Sequence, residues 1–148
     1  MTDSVRPTPA SAEAQRETLE QTLALQRKAY LANPYPSRAQ RKDDLLRLKA
    51  FVRDNRDAIL DAISADYGNR SRHETLFAEI YGVLDGIDHA IGNLRKWMKP
   101  QRRSIDLKNF FGARNRVIPH PLGVVGHIVP WIFPIFLCFG GLTSAFAA

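Results

Sequence analysis

The side chains able to do chemistry are few and scattered. Cys138 is the single cysteine, and a thiol becomes a nucleophile only as the thiolate, which needs a nearby cation, a helix N-terminus or a metal. Its neighbours Phe136, Leu137 and Phe139 include no His, Lys or Arg, so it reads as an inert packing thiol. A single cysteine also excludes an internal disulfide and a cysteine-built zinc site. His73, His89, His120 and His127 stand at no ligand spacing to one another or to Cys138, and no metal centre is expected. His127 reads as a satisfied structural imidazole. Arg95, Lys96, Lys99, Arg102 and Arg103 interleave with Trp97, the mixture that nucleic-acid binders use. The same cations also suit the negative pole of a helix, and no nucleic-acid partner is expected.

The elements that must position these groups follow from punctuation and periodicity. Residues 1–14, with Pro7 and Pro9 among small polar residues, read as a disordered tail. A helical region then covers residues 15–100. Its first helix carries Leu19, Leu23 and Tyr30 on one stripe and stops at Asn33-Pro34-Tyr35-Pro36, because proline lacks the N–H and disfavours helical geometry before it. Ser37 and Gln40 form a capping box for a second helix, whose stripe is Leu45, Leu48, Val52, Ile59 and Ile63, with a kink near Asn55 and an end at Gly68. Ser71 and Glu74 form another box. After them Phe77, Ile80, Leu84, Ile87, Ile91, Leu94 and Met98 alternate spacings of three and four, which predicts one long amphipathic helix ending at Pro100.

Beyond it the period changes. Residues 116–120 and 124–129 are β-branched runs separated by Pro121-Leu122-Gly123 and predict two short strands. A rigid turn at residues 130–134 leads into an apolar helix from Ile135. The chain has a formal charge of +6, yet no Asp, Glu, Lys or Arg follows Arg116. Such a segment either enters a membrane or is meant to be buried. It is long enough to span a bilayer, which needs ~20 apolar residues. Pro130, Pro134, Gly140 and Gly141 interrupt it, which favours the buried alternative. Met1 to Glu20 is polar, with no signal-peptide core, so a cytoplasmic protein is expected.

Pro121-Leu122-Gly123-Val124-Val125, followed by Pro130-Trp131-Ile132-Phe133-Pro134, resembles the aldehyde dehydrogenase superfamily, which enters its dinucleotide-binding domain through P-x-G-V-V and P-W-N-[FY]-P. Leu142-Thr143-Ser144-Ala145-Phe146-Ala147-Ala148 is similar to the helix that follows. Asp66-Tyr67-Gly68, residues 74–80 and residues 94–100 are similar to earlier parts of the family. Residues 31–37 and 69–74 look most like its coniferyl aldehyde dehydrogenase branch.

The resemblance implies an α/β fold of the aldehyde dehydrogenase type. This chain would be mostly helical, with a short hairpin in an oligomerisation-type region at residues 101–122 and the first β-α unit of a truncated dinucleotide-binding domain at residues 123–148. It implies NAD or NADP as cofactor, a small-molecule aldehyde as substrate and a homo-oligomer, without nucleic acid or membrane. Family chemistry uses a cysteine thiolate on the aldehyde carbon, fixed donors for the resulting oxyanion, and a glutamate that activates water. By position, Ile128, Val129, Pro130 and Trp131 would contact the cofactor. Ile132 occupies the place of the oxyanion Asn and brings no side-chain donor. The Gly-Gln-x-Cys and Glu-Leu-Gly-Gly motifs are not among these residues. No catalytic residue is therefore assigned, and this chain is expected to be inactive alone. The alternatives are a tail-anchored membrane protein and a shortened subunit docking on a longer dehydrogenase through the stripe between Phe77 and Met98.

Overall fold

The computed structural model describes residues 9–148. They divide into two compact units: residues up to Tyr35 with Leu122–Val125, and Pro36–Pro121 with Gly126–Ala148. In the first unit, α1 spans Pro9–Ala32. Residues 9–14 are thus helical, where a disordered tail was expected; residues 1–8 lie outside the described part. Proline is tolerated at a helix start, since its missing N–H would be unpaired there anyway. Side chains four apart support the helix at Arg16–Glu20 (2.9 Å) and Glu17–Gln21 (3.2 Å). Gly123 adopts φ +97°, and a Cβ there would lie 3.2 Å from the Tyr30 ring, so both backbone and space select glycine.

In the second unit, α2 (Arg38–Asp54) starts at the expected capping box. Ser37 Oγ accepts from Gln40 N at 3.2 Å, and Gln40 Oε1 accepts from Ser37 N at 2.8 Å. The kink expected near Asn55 is a full break before α3 (Arg56–Asp66). The Asn55 amide donates to Phe51 O at 2.8 Å, a local bond that competes with helical continuation. Gly68 and Asn69, both at positive φ, end α3.

The long helix expected after Ser71 is divided. It consists of α4 (Arg72–Thr75), a π-helical turn (Leu76–Tyr81) and α5 (Gly82–Trp97). Ser71 Oγ accepts from Glu74 N at 3.5 Å, but the Glu74 carboxylate turns to Arg70 at 3.3 Å instead of closing the second box. The widened turn changes which side chains face inward. Thr75, Glu79 and Ile80 are buried, whereas Phe77 is 76% exposed and stacks on Tyr81. The buried line then runs Ile80, Val83, Ile87, Ala90 and Leu94, with Leu84 and Ile91 packed at its flank.

This line meets Leu45 and Val52 of α2, Leu60 of α3 and Ala147 of α6 (Pro134–Ala147) in the core. Lys49 and Asp88 tie α2 to α5 at 2.6 Å. Most of the Phe77–Met98 stripe is therefore taken up by internal packing.

The sheet also differs from expectation. β1 (Gln101–Arg103) pairs antiparallel with β2 (Asn115–Val117), placing Arg102 opposite Arg116. The strand expected at residues 116–120 stops at Val117, and residues 124–129 form no strand. A lone extended run leaves its ladder N–H and C=O groups without partners, whatever its β-branched content. Of the expected β-α unit, only the helix is formed.

Candidate functional site

The residues expected to contact a cofactor lie in irregular chain before α6. Ile128 is 97% and Trp131 68% exposed; Ile132 is exposed as well. Pro130 is exposed and Val129 half-buried. Pro134 opens α6 in the position where its fixed φ suits a helix.

What holds this segment lies behind it. The Tyr67 hydroxyl donates to the Trp131 carbonyl and lies 3.4 Å from that of Ile132. The Arg70 guanidinium is 5.2 Å from the centre of the Tyr67 ring and 5.0 Å from that of Phe133, within cation–π range of both. Its Nη1 donates to Glu79 Oε1 at 2.8 Å. Glu79 Oε2 accepts from the backbone N–H of Ile135 at 2.8 Å and of Phe136 at 3.3 Å. Those amides belong to the first turn of α6, where helical N–H groups have no partner within the helix. Phe133, in the N-cap position, makes no side-chain cap. Glu79 supplies the cap from another element.

The opposite end of α6 meets Arg41. Its Nε donates to Pro36 O at 3.1 Å and its Nη1 to Ala147 O at 2.9 Å and to Ala148 O. Burial lowers the Arg41 pKa from its ordinary value, and a guanidinium stays charged regardless. A carboxylate at the positive pole and a guanidinium at the negative one both oppose the dipole of α6.

His127 is satisfied, as expected: its Nε2 lies 3.0 Å from Leu137 O. A carbonyl can only accept, so this contact places a proton on Nε2. The imidazole fills the space beside Gly141, where an added Cβ would collide with it. Cys138 is half-buried in α6. Among the described residues no group of three or more His, Cys, Asp and Glu could hold a metal ion. No helix among them is long and apolar enough to cross a membrane.

The structure thus anchors the expected segment through Tyr67, Arg70 and Glu79, and the far end of α6 through Arg41, none of which the sequence singles out as a site residue. One signal was available: Glu79 interrupts an otherwise apolar face. Ile132 provides no hydrogen-bond donor from its side chain, so no oxyanion site is complete here.

Residues 6–148 match the model of the aldehyde dehydrogenase family. The chain is similar to a probable coniferyl aldehyde dehydrogenase of Pseudomonas aeruginosa, 47% identical over 130 residues, which is 88% of this chain and 27% of the relative. It is 42% identical to the coniferyl aldehyde dehydrogenase of a Pseudomonas species over 132 residues, 89% of this chain and 27% of the relative. A probable coniferyl aldehyde dehydrogenase of Caulobacter vibrioides is 33% identical over 144 residues, 96% of this chain and 30% of the relative. The chain spans 27–30% of the length of these relatives. With a family match across nearly its whole length, the chain belongs to the aldehyde dehydrogenase family.

Proposed function

We propose that this chain serves as the amino-terminal part of an NAD(P)-dependent aldehyde dehydrogenase that oxidises an aldehyde of the coniferyl type to the carboxylic acid. The observation that carries the reading is the segment around Trp131: exposed apolar side chains on an edge whose backbone is anchored from behind by Tyr67, Arg70 and Glu79. A flat, partly apolar ligand fits such an edge. Ile128, Val129, Pro130 and Trp131 would lie against the nicotinamide side of NAD or NADP, which when bound accepts the hydride.

These residues offer a strip of the cofactor site and no anion-binding turn for its phosphates. The thiolate and the water-activating carboxylate belong to motifs absent from these 148 residues, so aldehyde turnover requires residues outside this sequence. The accompanying proposals are a small-molecule aldehyde substrate, a homo-oligomer in which residues 101–122 take part, and a cytoplasmic setting without nucleic acid or membrane.

The test is a chimera in which this chain replaces the matching segment of the Pseudomonas species relative. Dinucleotide reduction dependent on coniferyl aldehyde is expected, but weak. Ile132→Asn should raise turnover by ~100-fold or more, because one missing oxyanion donor costs about 10²–10³. The purified 148-residue chain alone should give none. A folded Ile132→Asn chimera without activity, or aldehyde-dependent reduction by the chain alone, would overturn the reading.

A further inference from the structure

We infer that Glu79 is a positioning residue of the proposed dehydrogenase, setting where the cofactor-contacting segment enters α6 without touching cofactor or aldehyde. The inference rests on the function proposed above.

Glu79 is 0% exposed, and each of its oxygens has its own work. Oε1 faces the Arg70 guanidinium, while Oε2 takes the Ile135 and Phe136 amides. With both oxygens committed, the carboxylate plane cannot rotate without breaking a contact. Its hold on Ile135 reaches the segment directly, because only residues 130–134 separate Val129 from that amide. Pro130 and Pro134 fix two of the intervening φ angles. Arg70 stacks on Phe133, and Tyr67 holds the Trp131 carbonyl. Backbone groups and Phe133 are thus anchored inward, leaving the Ile128 and Trp131 side chains exposed. The π-helical turn delivers Glu79 to this point, and such turns recur at functional positions in helices.

Stability alone does not demand this arrangement. Well-packed apolar residues in place of a buried ion pair are often neutral or stabilising. What the carboxylate adds is a fixed acceptor for the first amides of α6.

The experiment uses the Ile132→Asn chimera as reference. The double variant Glu79→Met with Arg70→Met removes both charges together, so no lone buried charge unfolds the protein. It is expected to fold with a somewhat lower thermal midpoint, from the two α6 amides left without an acceptor, while KM for the dinucleotide rises ~10-fold or more and kcat stays within ~3-fold, the signature of lost ground-state placement. Glu79→Gln, which retains one acceptor oxygen, should lie between the two and stands as the test if the double variant does not fold. A KM that stays constant while only the midpoint or the active fraction falls would overturn the inference and leave Glu79 a packing residue.

A second arm needs no activity. In the 148-residue chain, Glu79→Gln should speed amide hydrogen exchange at Ile135 and Phe136 and leave the buried Ile87 and Leu94 amides unchanged. Equal protection in variant and parent would also overturn it. An inert reference chimera refutes the dehydrogenase reading and Glu79's link to cofactor, while the exchange arm still reads the cap itself.

Discussion

Glu79 and Arg70 face each other with side-chain exposures of 0% and 9%, so removing one partner strands the other. Glu79→Ala leaves two helix amides without an acceptor and the Arg70 guanidinium with only its longer contact to Glu74 at 3.3 Å, and breaking such a buried pair typically costs about 3–5 kcal/mol. Urea unfolding of the chain should show a loss of that size; a change below ~1 kcal/mol would mean water replaces the carboxylate freely. Asp57 provides a contrast at the surface. Its carboxyl is held below the usual carboxylate value, first by a hydrogen bond from Arg56, then by the charges of Arg56 and Arg72. A depressed folded value favours folding above the ordinary carboxylate pKa, and that contribution fades as pH falls through the folded one. Because Asp57 is fully exposed, the effect belongs to titration rather than stability. Arg56→Gln should raise the Asp57 midpoint in a carbon-detected NMR titration, and an unmoved midpoint would contradict the assigned cause.

Among the elements, α5 and α6 contain glycines with opposite surroundings. A Cβ at Gly86 meets nothing within 4 Å, so Gly86→Ala should stabilise α5 by about 0.5–1 kcal/mol through the helix preference for alanine. At Gly141 the added carbon runs into the His127 ring. Gly141→Ala should therefore displace the exposed His127 ring from Leu137 O, and losing that hydrogen bond costs about 0.5–1.5 kcal/mol. Paired thermal melts check both, and equal shifts of one sign would refute the contrast. Much of this layer was legible in sequence: Ser37 with Gln40, the break at Asn55 and the proline-led start of α6 depend on local chemistry. The π turn was not, because spacings of three and four describe the face that packs without showing where a turn widens. Residues 124–129 misled for a related reason. β-branched composition marks chain that suits a sheet, but only a neighbouring strand makes one.

For the whole molecule, the feature that dominates behaviour is uncovered apolar surface. Ile128, Trp131, Ile132, Phe136 and Phe146 are all exposed in the second unit, and exposed apolar residues in number mark surfaces that other protein covers. The isolated chain should associate in light scattering at micromolar concentration. A monodisperse monomer with one sharp unfolding transition would count against that. The candidate site was legible at this scale only as a location. Its exposed edge could be placed from the proline-bounded segment, but the anchors come from residues more than fifty positions upstream, which no local pattern connects.

The last helix contains no ionisable charge, yet both of its poles face one, from donors and acceptors 56 and 106 positions away. Its helicity is consequently conditional: α2 and the π-helical turn must already be in place before the segment gains the partners that favour it. A synthetic peptide of residues 134–148 would carry neither charge and falls near the ~12–15 residues below which isolated helices are marginal. During folding, this helix should be the element that completes the second unit rather than the one that starts it.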